Sequence, residues 1–146
     1  MDYLERLRPF TLLVLRIAVG IIFIYHGYDK YHHGIAATKS MMGGNGLPEY
    51  FAYLSIGIEL FGGALLLLGF LTRPIGALMA IEMAVALVKV HLPHGFTKVP
   101  GYELPLALCV ASLAIATFGA GKASLDYAFF GKPRPLKARN KLTSSK

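Results

Sequence analysis

Cysteine is almost absent from this 146-residue chain, in which Cys109 is the single thiol. One cysteine cannot form an intrachain disulfide, and the chain has no Cys-x-x-Cys motif. This argues against a four-helix thiol oxidoreductase of the vitamin K epoxide reductase kind, because such an enzyme depends on a reactive thiol pair. The chain also has no flavin motif. We interpret Cys109 as a small packing residue.

Charge is scarce as well: Asp, Glu, Lys and Arg make up 16% of the residues, whereas 55% are hydrophobic. The apolar residues form four long stretches, at residues 10–28, 50–70, 75–92 and 102–118. A helix needs about 17–25 mostly apolar residues to cross a bilayer. The sequence therefore predicts an all-α integral membrane four-helix bundle in residues 1–127. Residues 128–146 are predicted to form a basic, disordered tail.

A proline stands at the start of each apolar stretch: Pro9, Pro48, Pro74 and Pro105. Proline is well tolerated in a first helical turn, where its missing N–H would be unpaired anyway, so we expect each to open a helix. Between the second and third stretches, Gly69 suits a helix C-cap and Thr72 can cap the next helix. The first link, of roughly sixteen residues, is long for a bundle. It either lies along the outer interface or folds back over the bundle.

The basic residues predict the orientation of the chain. Arg6 and Arg8 precede the first stretch, Arg73 lies in the second link, and seven Lys or Arg residues follow the fourth stretch. Four spans place all three segments on one side, and the positive-inside rule makes that side cytoplasmic. Both termini are therefore predicted to be cytoplasmic. A basic tail could bind RNA, but we prefer anionic lipid headgroups and expect no nucleic-acid partner.

Ionisable side chains within the spans are the first candidates for function, because they are costly in a bilayer unless paired or hydrated. Arg16 lies about two turns into the first span, and Glu59 is at the middle of the second. Glu59 is the best candidate partner for Arg16, although Arg16 could instead snorkel to the interface. Glu59 either forms a structural pair or exchanges protons with a bound ligand.

Further candidates for ligand binding lie on the third and fourth spans. Glu82 and Lys89 are seven residues apart, nearly two helical turns, so both should project from one face. We expect them to form a polar stripe that faces the bundle. Glu103 stands at the start of the fourth span, where the helix dipole also favours an acid.

The histidines are all predicted to lie toward the outer side: His26, His32, His33, His91 and His94. His26, Asp29 and His33 share a helical face if the first helix continues that far, and could bind zinc or copper. Their spacing matches no established metal motif, so we predict no metal site. His26 and His91 are the one plausible haem-ligand pair, and both stay candidates for ligand binding.

Short motifs follow one another along residues 10–127 and together resemble the DoxX family of small four-helix bacterial membrane proteins. They are Leu15-Arg16-Ile17-Ala18-Val19-Gly20, His26-Gly27 with Lys30, Gly46-Leu47-Pro48, Glu59 with Gly62-Gly63 and Gly69, Arg73, His91, Gly101-Tyr102-Glu103, Gly119-x-Gly121 and Ser124-Leu125-Asp126. The family name comes from a subunit of a terminal quinol oxidase and thiosulfate:quinone oxidoreductase system.

The resemblance implies a bacterial inner-membrane component of a redox complex that contacts the quinone pool. It implies a redox partner protein, allows a homo-oligomer, and leaves open whether the chain is an enzyme by itself. The cofactor would be borrowed or a diffusible quinone. Arg16, Glu59 and His91 would be the polar groups of a quinone-sized pocket, with Glu59 exchanging protons.

The alternative is a non-enzymatic membrane scaffold or a small-solute permeation protein, whose intramembrane charges form structural pairs. Inverted-repeat transporters usually contain helices broken at mid-membrane, and no proline stands in the middle of any span here. That disfavours transport.

Overall fold

The computed structural model of the protein describes residues 2–97 and 101–131, and these residues form helices and connecting turns without strands. The helices are α1 (Asp2–His32), α2 (Ile35–Gly44), α3 (Phe51–Leu68), α4 (Thr72–His91), α5 (Glu103–Phe118) and α6 (Leu125–Phe130). The predicted domain boundary at residue 127 falls inside α6. The tail from residue 132 onward, with its predicted disorder, lies outside the described residues.

Three segments are long and apolar enough to cross a membrane: Arg6–His32, Phe51–Leu68 and Thr72–His91. A fourth apolar helix, α5, has 16 residues, which gives a length of about 24 Å against about 30 Å of hydrocarbon in a typical bilayer. The predicted all-α membrane fold is therefore confirmed, with three to four helices able to span.

The surface of the bundle is as apolar as its interior. Large apolar side chains are exposed on each long helix, among them Phe10, Ile21, Phe61, Ile81 and Val110. The buried core consists of Val19, Phe23, Leu66, Met79, Met83, Leu108 and Ile115. Such extensive exposed apolar surface is unfavourable in water and suits contact with lipid chains.

Glycine contacts bring the helices together in pairs, α1 along α3 and α4 along α5. A Cβ atom on Gly20 would lie 2.9 Å from the carbonyl oxygen of Gly63, so the α1 and α3 backbones touch directly. A Cβ on Gly76 would likewise lie 3.0 Å from the carbonyl oxygen of Ser112 on α5. Small residues permit this close approach in membrane bundles.

The predicted helix starts are right at Pro74 and Pro105, each the third residue of its helix. Pro48 precedes α3, where its carbonyl accepts a hydrogen bond from the Phe51 N–H at 3.0 Å. The prediction for Pro9 is wrong, because α1 begins at Asp2 and Pro9 lies inside it. Residues 2–8 contain no glycine or further proline, so nothing before Pro9 stops the helix.

The link between α3 and α4 contains one confirmed prediction and one that is wrong. Gly69 ends α3 in the left-handed conformation, with φ 67°, as a C-cap glycine should. The Thr72 side chain, however, does not cap α4. The carboxylate of Asp126 does so instead, accepting hydrogen bonds from the backbone N–H groups of Leu71 at 2.7 Å and Thr72 at 2.9 Å.

One end of the bundle is closed by residues that are distant in sequence. Arg16 donates to the carbonyl oxygens of Ala120 at 2.5 Å and Ala123 at 2.7 Å. The Asp126 N–H donates to the carbonyl of Gly69 at 2.8 Å. The first half of α1, the α3–α4 link and residues 119–131 therefore meet at the same end, which we call the terminal end.

Candidate ligand-binding site

A cavity of about 770 Å³ lies between the helices in the half of the bundle away from the terminal end. Its apolar lining includes Phe23, Phe51, Leu54, Ile58, Leu78, Met83 and Leu108. The long link after α1 folds back over the bundle as α2, and Thr38, Met41 and Met42 of this helix line the cavity. Sites for small molecules in proteins commonly have this size and mostly apolar lining.

The polar centre of the cavity is an ion pair between α1 and α3. Lys30 Nζ lies 2.8 Å from Glu59 Oε1 and also donates to Ser55 Oγ at 2.8 Å. The side chain of Glu59 is 3% exposed and that of Lys30 is 24% exposed, so the carboxylate is buried while the ammonium borders the opening. Glu59 Oε2 is buried and has no hydrogen-bond partner in the described part of the chain.

Glu82 on α4 adds a second carboxyl group to the same cavity. Both of its oxygens are buried. Glu82 interacts electrostatically with Glu59 and with Lys30, and the Ser55 hydroxyl is its hydrogen-bonding neighbour. Buried polar atoms in proteins are nearly always satisfied. Two buried carboxyl groups beside one ammonium group, with Glu59 Oε2 unpartnered among the described residues, can exchange protons or bind a polar group.

Local helix geometry explains how Glu59 reaches Lys30. Residues Ile58–Gly62 form a π-helical turn within α3, a feature that is frequent at functional sites. A Cβ atom on Gly27 would lie 2.9 Å from the Cβ of Glu59, so glycine at this position lets α3 approach α1 closely. Lys30 stands nearly one turn after Gly27 and meets the carboxylate there.

Five predicted ligand-binding residues line the cavity: His26, Glu59, Glu82, His91 and Glu103. The predicted Arg16–Glu59 pair is wrong. Arg16 binds carbonyls at the terminal end, and Lys30, the actual partner of Glu59, is fourteen residues further along α1, about 21 Å of helical rise.

The expectation for Lys89 is also wrong. Lys89 is exposed and does not line the cavity, although Glu82 does. Residues Leu87–His91 form a second π-helical turn. A π turn needs more residues per turn than an α turn, so it rotates Lys89 away from the face that carries Glu82.

Lys30 and Ser55 are the site residues that the sequence reasoning missed. Lys30 follows the apolar stretch that ends at residue 28, so it looked interfacial, but α1 continues to His32 and keeps it within the bundle. Its position four residues after His26 was the available signal, because residues four apart share a helical face. Ser55 stands four residues before Glu59 on α3 and offered the same signal.

The histidines do not form a metal centre in the described residues, where no group of three or more His, Cys, Asp or Glu side chains could hold an ion. His33 pairs with Asp29 at 3.0 Å, and both border the cavity. The side chain of His94 lies outside the description. Cys109 packs against α4, with Sγ 3.3 Å from the carbonyl oxygen of Ala80.

The fold and the cavity define a small helical membrane protein with a buried charged site. The family model described as DoxX matches residues 11–92, a range that contains Lys30, Glu59 and Glu82. The protein belongs to the DoxX family, as its resemblance predicted.

Relatives across bacteria cover most of the chain. A Bacillus subtilis (strain 168) protein named "Putative oxidoreductase CatD" is 36% identical over 121 residues, which are 82% of this chain and 88% of that protein. An uncharacterized protein of Haemophilus influenzae (strain ATCC 51907 / DSM 11121 / KW20 / Rd) is 37% identical over 90% of this chain and all of its own length. The inner membrane protein YphA of Escherichia coli (strain K12) is 31% identical over 82% of this chain and 90% of its own. No solved structure shows a significant match.

Proposed function

We propose that the protein is the inner-membrane component of a redox system and that it binds a quinone in the cavity. The observation that carries the proposal is the Lys30–Glu59 pair beside Glu82, with the carboxylate oxygens buried in a mostly apolar cavity of about 770 Å³. Phe23 and Phe51 border the same space and would flank a flat ring. The name of the Bacillus subtilis relative adds support for redox chemistry.

The side chains match the proton balance of quinone chemistry. Oxidation of a quinol releases two electrons and two protons, and reduction of a quinone consumes them. Glu59 and Glu82 would each exchange one proton with a ring oxygen, while the Lys30 ammonium donates a hydrogen bond to the ring. The electrons would pass to or from the cofactor of a redox partner protein, since this sequence has neither a flavin motif nor a thiol pair.

The first test is the substitution Glu59→Gln, which keeps the size of the side chain and removes its proton exchange. We expect quinone-linked electron flow in isolated membranes, normalised to the amount of folded protein, to fall by about two orders of magnitude, as loss of a general acid–base group does. The matched control is Glu49→Gln, because Glu49 is exposed and lies outside the cavity lining. Unchanged electron flow in membranes that contain the Glu59→Gln protein at the wild-type amount would contradict the proposal.

The redox partner calls for a separate experiment. The tagged protein would be purified from its own membranes in mild detergent, and the proteins that accompany it would be identified by mass spectrometry. A stoichiometric flavin, haem or iron–sulfur protein would support the role as a subunit. If the protein ran alone or as a homo-oligomer, the redox role would require the quinone site to act without a stable partner.

A further inference from the structure

We infer that the apolar tail of the quinone leaves the cavity through a groove between α3 and α4. This rests on the proposed function, and it assigns the residues that would hold the tail of a membrane quinone. The groove has a volume of about 300 Å³ and is lined by Tyr53, Leu54, Gly57, Ile58, Phe61, Gly62, Leu65, Ile75 and Leu78.

The groove adjoins the cavity. Leu54, Ile58 and Leu78 line both spaces, so these three side chains form the boundary, and the tail of a molecule whose ring lies beside Glu59 would pass between them into the groove. The chemistry changes along this path. The cavity contains charged groups, whereas the groove has no charged lining residue in the described chain and Tyr53 is its one polar side chain. A ligand with a polar head and an apolar tail fits both parts.

The groove is long enough for an apolar tail, and it opens toward the lipid. Along α3 it extends from Tyr53 to Leu65, about 18 Å of helical rise. Phe61 is 74% exposed and Leu54 is 50% exposed, so the outer side of the groove is open to the surface that faces lipid. The tail would therefore remain in contact with the bilayer while the ring is bound, and the ligand would enter sideways from the membrane.

Gly57 provides a way to block the groove. A Cβ atom built on Gly57 meets no heavy atom within 4 Å, so it fits without displacing the protein, and a longer side chain at this lining position would extend toward the groove. Gly62, also in the groove, differs because its Cβ would lie 2.9 Å from Met79 Cε. Gly43 of α2 is a matched control, since its Cβ also meets nothing and it lines neither the cavity nor the groove.

The experiment compares two quinones that share one ring: 2,3-dimethoxy-5-methyl-1,4-benzoquinone without a tail and its 6-decyl derivative. The protein is placed in nanodiscs of phosphatidylethanolamine and phosphatidylglycerol, and quinone retained above that of empty nanodiscs is measured by extraction. Affinities are expressed per concentration in the lipid phase, so that partitioning of the decyl compound does not count as binding. The variants are Gly57→Phe, Gly43→Phe and Glu59→Gln.

We expect Gly57→Phe to bind the decyl compound about tenfold more weakly than the wild type does, because the phenyl ring and the tail cannot occupy the same space. Gly57→Phe should bind the tail-less ring as the wild type does, and Gly43→Phe should bind both compounds unchanged. Unchanged binding of the decyl compound by Gly57→Phe, or equal weakening of both compounds, would overturn the inference. If Gly57→Phe does not accumulate, Gly57→Leu makes the same test with a smaller side chain.

Failure of the proposed function would look different. In that case the wild-type protein would retain neither quinone. Alternatively, the Glu59→Gln and Gly57→Phe proteins would retain both quinones as well as the wild type does. Either outcome overturns the tail assignment together with the ring site. If quinone retention falls in Glu59→Gln but is the same in Gly57→Phe as in the wild type, the ring site is supported and only the assignment of the tail to the groove is overturned.

Discussion

Two cations on α1 have separate partners at opposite ends of the bundle. Arg16 donates to two backbone carbonyls and interacts electrostatically with Asp126, while Lys30 holds Ser55 and Glu59. A buried ion pair adds little net stability over apolar residues, but removal of one partner leaves an uncompensated charge. At the residue scale, the question is whether the Lys30–Glu59 pair serves stability alone, as in a scaffold, or serves a ligand as well.

A double-mutant cycle measures the part of this question that concerns stability, and electron flow in Glu59→Gln membranes measures the part that concerns the ligand. Lys30→Met and Glu59→Gln should each lower the free energy of unfolding by about 1–3 kcal/mol, with the Lys30 value reduced by its partial exposure. The double mutant should lose clearly less than the sum of the two. The measurement is thermal unfolding in detergent.

The control cycle combines Arg16→Ala with Glu59→Gln. These two residues have separate partners at opposite ends of α1, so their effects should add to within about 0.5 kcal/mol. Non-additivity between Arg16 and Glu59, or additivity between Lys30 and Glu59, would contradict the pairing described here.

At the scale of elements, α6 acts as a clamp on the terminal end. Leu71 adopts the left-handed conformation, with φ 50°, which is unfavourable for a leucine. The carboxylate of Asp126 compensates by accepting hydrogen bonds from the first two N–H groups at the start of α4, where a negative charge is also favoured by the helix dipole. Position 126 thus joins a short helix to the beginning of a long one.

The clamp makes a prediction that is independent of ligand binding. Asp126→Ala should lower the free energy of unfolding by about 1–2 kcal/mol, the usual cost of a lost helix cap. Quinone retention should stay at the wild-type value, because the cavity lies in the other half of the bundle. The control is Glu49→Ala, because Glu49 is exposed and lies outside the cavity lining. A loss of quinone binding in Asp126→Ala at unchanged stability would show that the two ends are coupled.

At the scale of the whole molecule, the sequence predicts the membrane spans better than it predicts which ionisable side chains contact each other. Apolar runs make the spans visible, and a carboxylate such as Glu59 or Glu82 stands out inside them. The partner of Glu59 could not be predicted, because pairing depends on how two helices are aligned. The two π-helical turns, Ile58–Gly62 and Leu87–His91, leave no mark in the periodicity, and the second turns Lys89 away from Glu82. Arg16 was paired wrongly because it lies about 21 Å of helical rise from Lys30, and Lys30 was missed because it follows the apolar stretch.

The orientation of the bundle in the membrane is the last prediction, and it decides where the cavity lies. The terminal end collects Arg6, Arg8 and Arg73, so the positive-inside rule predicts that this end is cytoplasmic. The cavity would then lie in the outer half of the bilayer, and protons exchanged by Glu59 and Glu82 would pass to the outer side.

Because Cys109 is the single cysteine, labelling of introduced thiols can test this orientation. In a Cys109→Ala background, a membrane-impermeant maleimide should label Gly43→Cys in intact cells, since Gly43 is exposed on α2 beside the cavity. It should label Ser144→Cys only after the cells are broken, because the tail is predicted to be cytoplasmic. The reverse pattern would place the cavity in the inner half of the bilayer, and any protons exchanged with the quinone would then come from the cytoplasm.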